Sequence, residues 1–196
     1  PYSFDRYEEV SRALYQIMGE ATSALQPVSC DEAFLDVTGL GDPNLIANEV
    51  RAKFSAATNC NVSAGIGATM LLARLATRKA KPNGVYHLKK SDFLAFAKGM
   101  PVTDLPGVGW HLAKKIVALL GAEPGAEPTV DDLRTIGIEV LKKQFGEKTG
   151  AMLFNFARGM DTRRLEPAKP RRTVSCEINW GSGFRRSSNG TSSRAT

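Results

Sequence analysis

No stretch of this sequence approaches the roughly 20 consecutive apolar residues of a membrane-spanning helix, so no membrane is expected among its partners. The opening, "PYSFDRYEEV", has neither a basic segment nor an apolar core, so no secretory signal is visible in it. It also lacks an initiator Met and reads as the middle of a longer protein. Cysteine is scarce. Cys30, Cys60 and Cys176 are far apart, odd in number and without a CxxC pair; this excludes a disulfide framework and fits a reducing, intracellular setting. The two histidines, His87 and His111, have no cysteine nearby in sequence, which excludes a structural zinc site. Glycine-rich nucleotide loops are missing as well. No GxxxxGK[ST] occurs, and "AGIGATM" supplies Gly65 and Gly67 but Met at position 70, so the dinucleotide fingerprint fails. Those two glycines are expected to let a strand pack closely on a helix.

What is present is ordinary in amount and uneven in placement. The 196 residues are 42% apolar and 23% charged, the make-up of a soluble globular chain with room for one large domain or two small ones. Residues 1–60 hold four Lys/Arg against nine Asp/Glu, a net −5, while residues 61–196 hold the other 22 against 11, a net +11. An acidic portion followed by a basic one suits a chain that holds cations in one place and a polyanion in another. A solvated basic surface would account for the charge equally well.

Periodicity divides the chain into two textures. A helix is expected over residues 4–25, capped by Ser3, with Tyr7, Val10, Leu14, Ile17 and Ala21 at helical spacing. Strands follow over 24–30 and 33–38. Asp42 then caps a helix with Pro43 in its first position and Ile46, Val50 and Phe54 as its buried stripe. "NVSAGIGAT" reads as a strand, "MLLARLATRKA" as a helix, "KPNG" as a turn and "VYHL" as a short strand. Alternating strands and helices through residue 88 indicate a sheet with helices packed on it. After Lys90 only short helices are expected, over 92–98, 110–120, 130–135, 138–145 and 148–158, with Thr129 and Asp132 as a capping box. The expected class is α+β: a sheet-bearing unit over 1–89, a small all-α unit over 90–162, a linker and possible strand over 163–180, and a Ser/Gly/Arg-rich disordered tail over 181–196.

Chemistry concentrates in three places. In "VSCDEAFLDVT", Asp31 and Glu32 sit side by side between strand-forming residues. Adjacent side chains in a regular strand point to opposite faces, so the two could share a ligand only at a bend. We expect a two-residue hairpin tip with residues 28–30 and 33–37 as its arms. Two acids at a strand tip suit a hard cation such as Mg²⁺ and repel one another without it; a solvated turn is the plain alternative. In "RKAKPNG", Lys79 and Lys81 flank a proline-fixed turn at a helix end and suit phosphate oxygens, although helix C-termini favour Lys regardless. In "LPGVGWHLAKK", Pro106, Gly107 and Gly109 form a tight turn that opens a helix, with Lys114 and Lys115 one turn further on. This is the helix-hairpin-helix pattern, which grips nucleic-acid backbone without reading bases; a plain αα-corner is the alternative. Trp110 and Trp180 read as packing residues.

In this order the features resemble the Y-family DNA polymerases, the low-fidelity translesion enzymes. "SCDEAFLDVT" resembles their second carboxylate motif, "VSAGIGATMLLARLATRKAKPNG" the palm segment that follows, and "LPGVGWHLAKKI" with "FGEKTGAMLFNFARGMD" their helix-hairpin-helix thumb. The resemblance covers about residues 1–180. Cys30 and "TRKAKP" point to the deoxycytidyl-transferase branch, which acts in DNA repair. The resemblance implies that Asp31 and Glu32 ligate catalytic Mg²⁺ in a two-metal site, that Lys81 contacts the incoming triphosphate, and that Gly107, Val108, Gly109, Lys114 and Lys115 hold DNA backbone. It implies primer–template DNA and an incoming dNTP, dCTP in this branch, as partners. Other translesion polymerases would dock through regions outside the chain, and the setting would be nuclear. Asp36 matches no catalytic position and is expected on the surface.

The departures are equally informative. The family carries an earlier strand with another essential aspartate, a fingers subdomain and, in this branch, a cytosine-selecting arginine, none of which has a counterpart here. Of the little-finger domain only "VSCEINWG" resembles the beginning, and the pattern is lost at Ser182, as if through altered splicing or a gene-model error. The expectation is a partial palm plus thumb, inactive as a polymerase on its own and marginally stable where a strand is missing. The other readings are a non-catalytic, sequence-independent DNA-binding module and, more distantly, a palm-like nucleotide cyclase, against which the thumb speaks.

Overall fold

The computed structural model describes residues 3–123, 125–166 and 173–174. Apart from residues 173 and 174, the strand expected near 173–180 and the tail over 181–196 lie outside the described residues, as does Trp180.

Helix α1 (Phe4–Ala21) buries Leu14 and Met18 against Phe54 of α2 (Pro43–Thr58), with Val10, Ile17 and Val50 partly covered. Tyr7, expected on the same stripe, is exposed. Ser3 occupies the cap position, but its hydroxyl makes no cap bond, contrary to expectation. The helix stops at Ala21, short of the expected residue 25. Thr22 supplies the reason: its buried hydroxyl donates to the Asp36 carbonyl and accepts from the Ala24 N–H, giving the backbone partners that a helix would not. Asp42 caps α2 as expected, accepting from Asn44 N–H at 2.7 Å, with Pro43 in the first position.

Strands β1 (Leu25–Pro27) and β2 (Ala33–Leu35) pair antiparallel, Leu25 opposite Leu35 and Pro27 opposite Ala33. Strands β3 (Ala64–Gly67) and β4 (Val85–Leu88) pair parallel, Ala64 opposite Val85 and Gly67 opposite Leu88. Parallel strands need a crossover, and α3 (Met70–Ala80) supplies it, capped by Thr69. The helix lies so close to β3 that a Cβ on Gly65 would collide with the Thr77 backbone nitrogen and the Ala73 carbonyl. Gly65 and Gly67 therefore serve strand-on-helix packing, as the failed fingerprint suggested. Among the described residues the sheet expected from the alternation is present as two separate pairs. A groove of 1010 Å³ lies between them, with β2 and β3 both on its wall.

The rest is helical: α4 (Phe93–Phe96), α5 (Trp110–Leu120), α6 (Val130–Thr135), α7 (Ile138–Phe145) and α8 (Glu147–Phe156). The Thr129–Asp132 capping box forms with both reciprocal bonds. One core runs through this region and into the sheet-bearing part. Leu71, Leu72 and Leu75 of α3 and Leu88 of β4 join Phe93, Leu105, Ile116, Leu133, Leu141 and Leu153. Asp161 ties the chain after α8 back to α3. Its side chain, 1% exposed, accepts from Leu71 N–H at 2.9 Å and pairs with Arg163 at 2.8 Å. Among the described residues no helix is long and apolar enough to cross a membrane.

Candidate active site and nucleic-acid interface

The carboxylate pair sits in a loop wider than the sequence suggested. The ladder ends at Pro27–Ala33, so residues 28–32 form the tip, and Val28–Cys30 is not a strand arm. Val28 and Ser29 both donate their N–H to the Glu32 carbonyl. Ser29 Oγ donates to Asp31 Oδ1 at 2.5 Å and accepts from Asp31 N–H, a local arrangement that competes with the ladder. Asp31 and Glu32 thus lie on a bend, which removes the opposite-faces objection.

Helix α1 holds that bend in place. Ser11 Oγ donates to the Cys30 carbonyl at 2.5 Å, and Tyr15 Oη donates to the carbonyls of Ser29 at 2.5 Å and Glu32 at 2.9 Å. Burial, followed by the nearby Cys30, holds the Tyr15 phenol above its ordinary value, so it stays a donor. Neither Ser11 nor Tyr15 was singled out from the sequence: their partners lie 14 to 19 residues away and leave no local signal.

Arg74 was missed too. From α3 its Nη1 reaches Glu32 Oε2 at 2.8 Å, which offsets one of two adjacent negative charges and aims the carboxylate. Among the described residues Asp31 Oδ2 and Glu32 Oε1 carry no hydrogen bond. Lys81, the residue after α3, is exposed and lines the same groove as Asp31 and Glu32. Asp31, Glu32 and Lys81, up to 50 residues apart in sequence, therefore line one groove. Among the described residues no cluster of three or more His, Cys, Asp or Glu could hold a metal. Asp36 stands apart as an exposed acid, its carboxyl held below the ordinary value first by hydrogen bonding to Thr38.

The second surface is the turn before α5. Gly107 has φ +83°, which L side chains rarely adopt, and Gly109 is the N-cap of α5. Val108 is 5% exposed and fixes the turn to the core, so any ligand contact it makes is through its backbone. Lys114 and Lys115 are exposed on α5. Trp110 is not the packing residue expected: it is 61% exposed, with Lys114 Nζ 3.6 Å above its ring centroid and the His111 ring edge-on at 4.7 Å.

Known proteins share both parts. Residues 1–78 match the impB/mucB/samB family, and residues 103–161 match the thumb domain of DNA polymerase-iota. Over most of its length the chain is similar to Y-family DNA polymerases. Within them it is similar to the DNA repair protein REV1 of Arabidopsis thaliana, 41% identical over 94% of this chain and 16% of that protein, and to rev1 of Schizosaccharomyces pombe, 39% identical over 93% and 20%. DNA polymerase IV 3 of Mesorhizobium japonicum is 35% identical over 90% of this chain and 48% of its own length. The chain thus spans between a sixth and a half of these relatives. The fold matches a solved Y-family polymerase chimera, Dbh-Dpo4(243-245)-Dbh, with TM-score 0.74 at 21% identity over 87% of this chain and 49% of the other. It also matches an insertion ternary complex of Dbh DNA polymerase, with TM-score 0.72 at 22% identity over 85% and 48%.

Proposed function

We propose that this chain is the carboxylate-bearing palm portion and the duplex-gripping thumb of a translesion DNA polymerase of the deoxycytidyl-transferase branch. Palm and thumb would divide near residues 89 and 90. The observation that carries the reading is that Asp31, Glu32 and Lys81 all line one groove. The donor set suits Mg²⁺. Two carboxylates, each with an oxygen free of hydrogen bonds, are what this ion commonly takes from a protein, the rest coming from substrate phosphates and water. Bound there, Mg²⁺ supplies charge neutralisation and activation of a primer 3′-hydroxyl.

The chain's own residues do the remainder. Arg74 orients Glu32, α1 fixes the loop, and Lys81 offers a mobile ammonium to the triphosphate of an incoming nucleotide, dCTP in this branch. Gly107 to Gly109, Lys114 and Lys115 hold the backbone of primer–template DNA. Among the described residues β2 and β3 each pair on one side only, and the aspartate-bearing strand that the family carries would add there. The setting would be the nucleus, with other translesion polymerases docking outside these residues.

A second reading, a DNA-binding module without catalysis, is favoured by the Arg74–Glu32 pair, in which one oxygen of the carboxylate is already taken by a cation of the chain itself. Both readings agree on the test. With Mg²⁺ and a primed template, these 196 residues alone should bind the duplex in a salt-dependent way yet extend the primer at no useful rate. Robust incorporation abolished by Asp31→Ala would mean that two acids suffice. Absence of duplex binding at low ionic strength would remove the thumb from the account.

A further inference from the structure

The exposed indole of Trp110 is unexplained by folding. Exposing a large aromatic forfeits its burial, and α5 has Ala113, Ile116 and Val117 to anchor it. Trp110 follows directly on the Gly107–Gly109 turn. One helical turn on, Lys114 lays its ammonium over the indole face at 3.6 Å and forms no ion pair among the described residues. His111 stands beside it. No Asp or Glu occurs between Asp104 and Glu123. An apolar plate carrying an uncompensated cation, in a stretch free of acids, complements a partner that is apolar and anionic over a few ångströms. The sugar–phosphate wall of a nucleic-acid duplex has that character, and an acidic protein surface lacks the repeating apolar sugars.

We propose that Trp110 is a duplex-contact residue: its indole is covered by deoxyribose when DNA binds, and it holds Lys114 in reach of a phosphate. The proposal rests on the thumb reading above and adds a residue to it. In Trp180→Phe chain, Trp110 is the sole indole. Titration with an unlabelled primed duplex should quench its emission, with a midpoint matching the anisotropy titration of a labelled duplex. Trp110→Ala should weaken duplex affinity about tenfold, the scale of an aromatic contact to nucleic acid. Trp110→Phe should restore most of it. Trp110→Ala should also lower the slope of log affinity against log salt by about one, as Lys114→Ala does, because the ammonium loses its seat. Combining the two substitutions should cost less than the sum of the separate losses. Anisotropy that rises while indole emission stays constant, or a Trp110→Ala chain that binds as tightly as the parent, would overturn the proposal and leave the thumb reading standing. If the parent binds no duplex, both fall together.

Discussion

Residues 4–58 and residues 70–157 are both mostly helical, and both carry strong helix signals, yet they bury different amounts. The first region closes on three buried apolar side chains, Leu14, Met18 and Phe54, whereas the second joins eighteen into one core. The groove lies between the first region, β3 and α3, with Arg74 and Thr77 on its lining, and apolar residues such as Val10, Phe34 and Ile66 still line open space there. The thin core also carries the carboxylates. The loop that bears them is held less by packing than by hydrogen bonds from Ser11 and Tyr15 and by the Arg74 ion pair. The thumb, which needs only a rigid surface, can afford a closed interior.

The comparison breaks first at the seam between the regions. Gly65→Ala forces a methyl into the backbone of α3 and should cost more than about 4 kcal/mol, enough to unfold β3, β4 and α3 together in a denaturant titration. Next, Leu153→Ala in the large core should cost about 3 kcal/mol and lower the thermal midpoint of that core. Phe54→Ala should instead free the amides of α1, α2 and the hairpin to hydrogen exchange while those of α5 to α8 stay protected. Equal loss of protection in both regions would mean that they fold as one unit.

Asp161→Asn should cost about 2 kcal/mol at neutral pH, since it removes charged hydrogen bonds at a buried site. Burial alone would raise the Asp161 carboxyl, but hydrogen bonds from the Arg163 side chain and backbone, its charge and the Leu71 N–H outweigh it and hold the value below the ordinary one. A depressed carboxylate stabilises fully above its unfolded value of about 3.9 and loses that contribution as pH falls through the folded value. The gap between parent and Asp161→Asn should therefore be constant near neutrality and close below about pH 4. Tyr15→Phe should be smaller, about 1 kcal/mol, and local: faster amide exchange over residues 28–32 with an unchanged thermal midpoint for the large core.

Much of this was legible in the residues. Pro43 after Asp42, the Thr129–Asp132 box and the glycines of the thumb turn act within four residues of themselves, and local chemistry suffices to read them. The site's support was not. Tyr15, Arg74 and Asp161 work across 14 to 90 residues, where a single sequence carries no periodic trace. The hairpin tip was read too tight because alternation cannot report the side-chain bond of Ser29 to Asp31. Trp110 was read as buried because indoles usually are, and nothing local records that α5 turns it outward.

The central claim is that Asp31 and Glu32 act together on a divalent ion in the presence of nucleotide. Mn²⁺, observed by electron paramagnetic resonance as a stand-in for Mg²⁺, tests it directly when the chain is titrated with dCTP present. The account predicts binding to the parent chain that weakens about tenfold in Asp31→Ala and in Glu32→Ala. Retention of Mn²⁺ by both variants at the parent's affinity would contradict it.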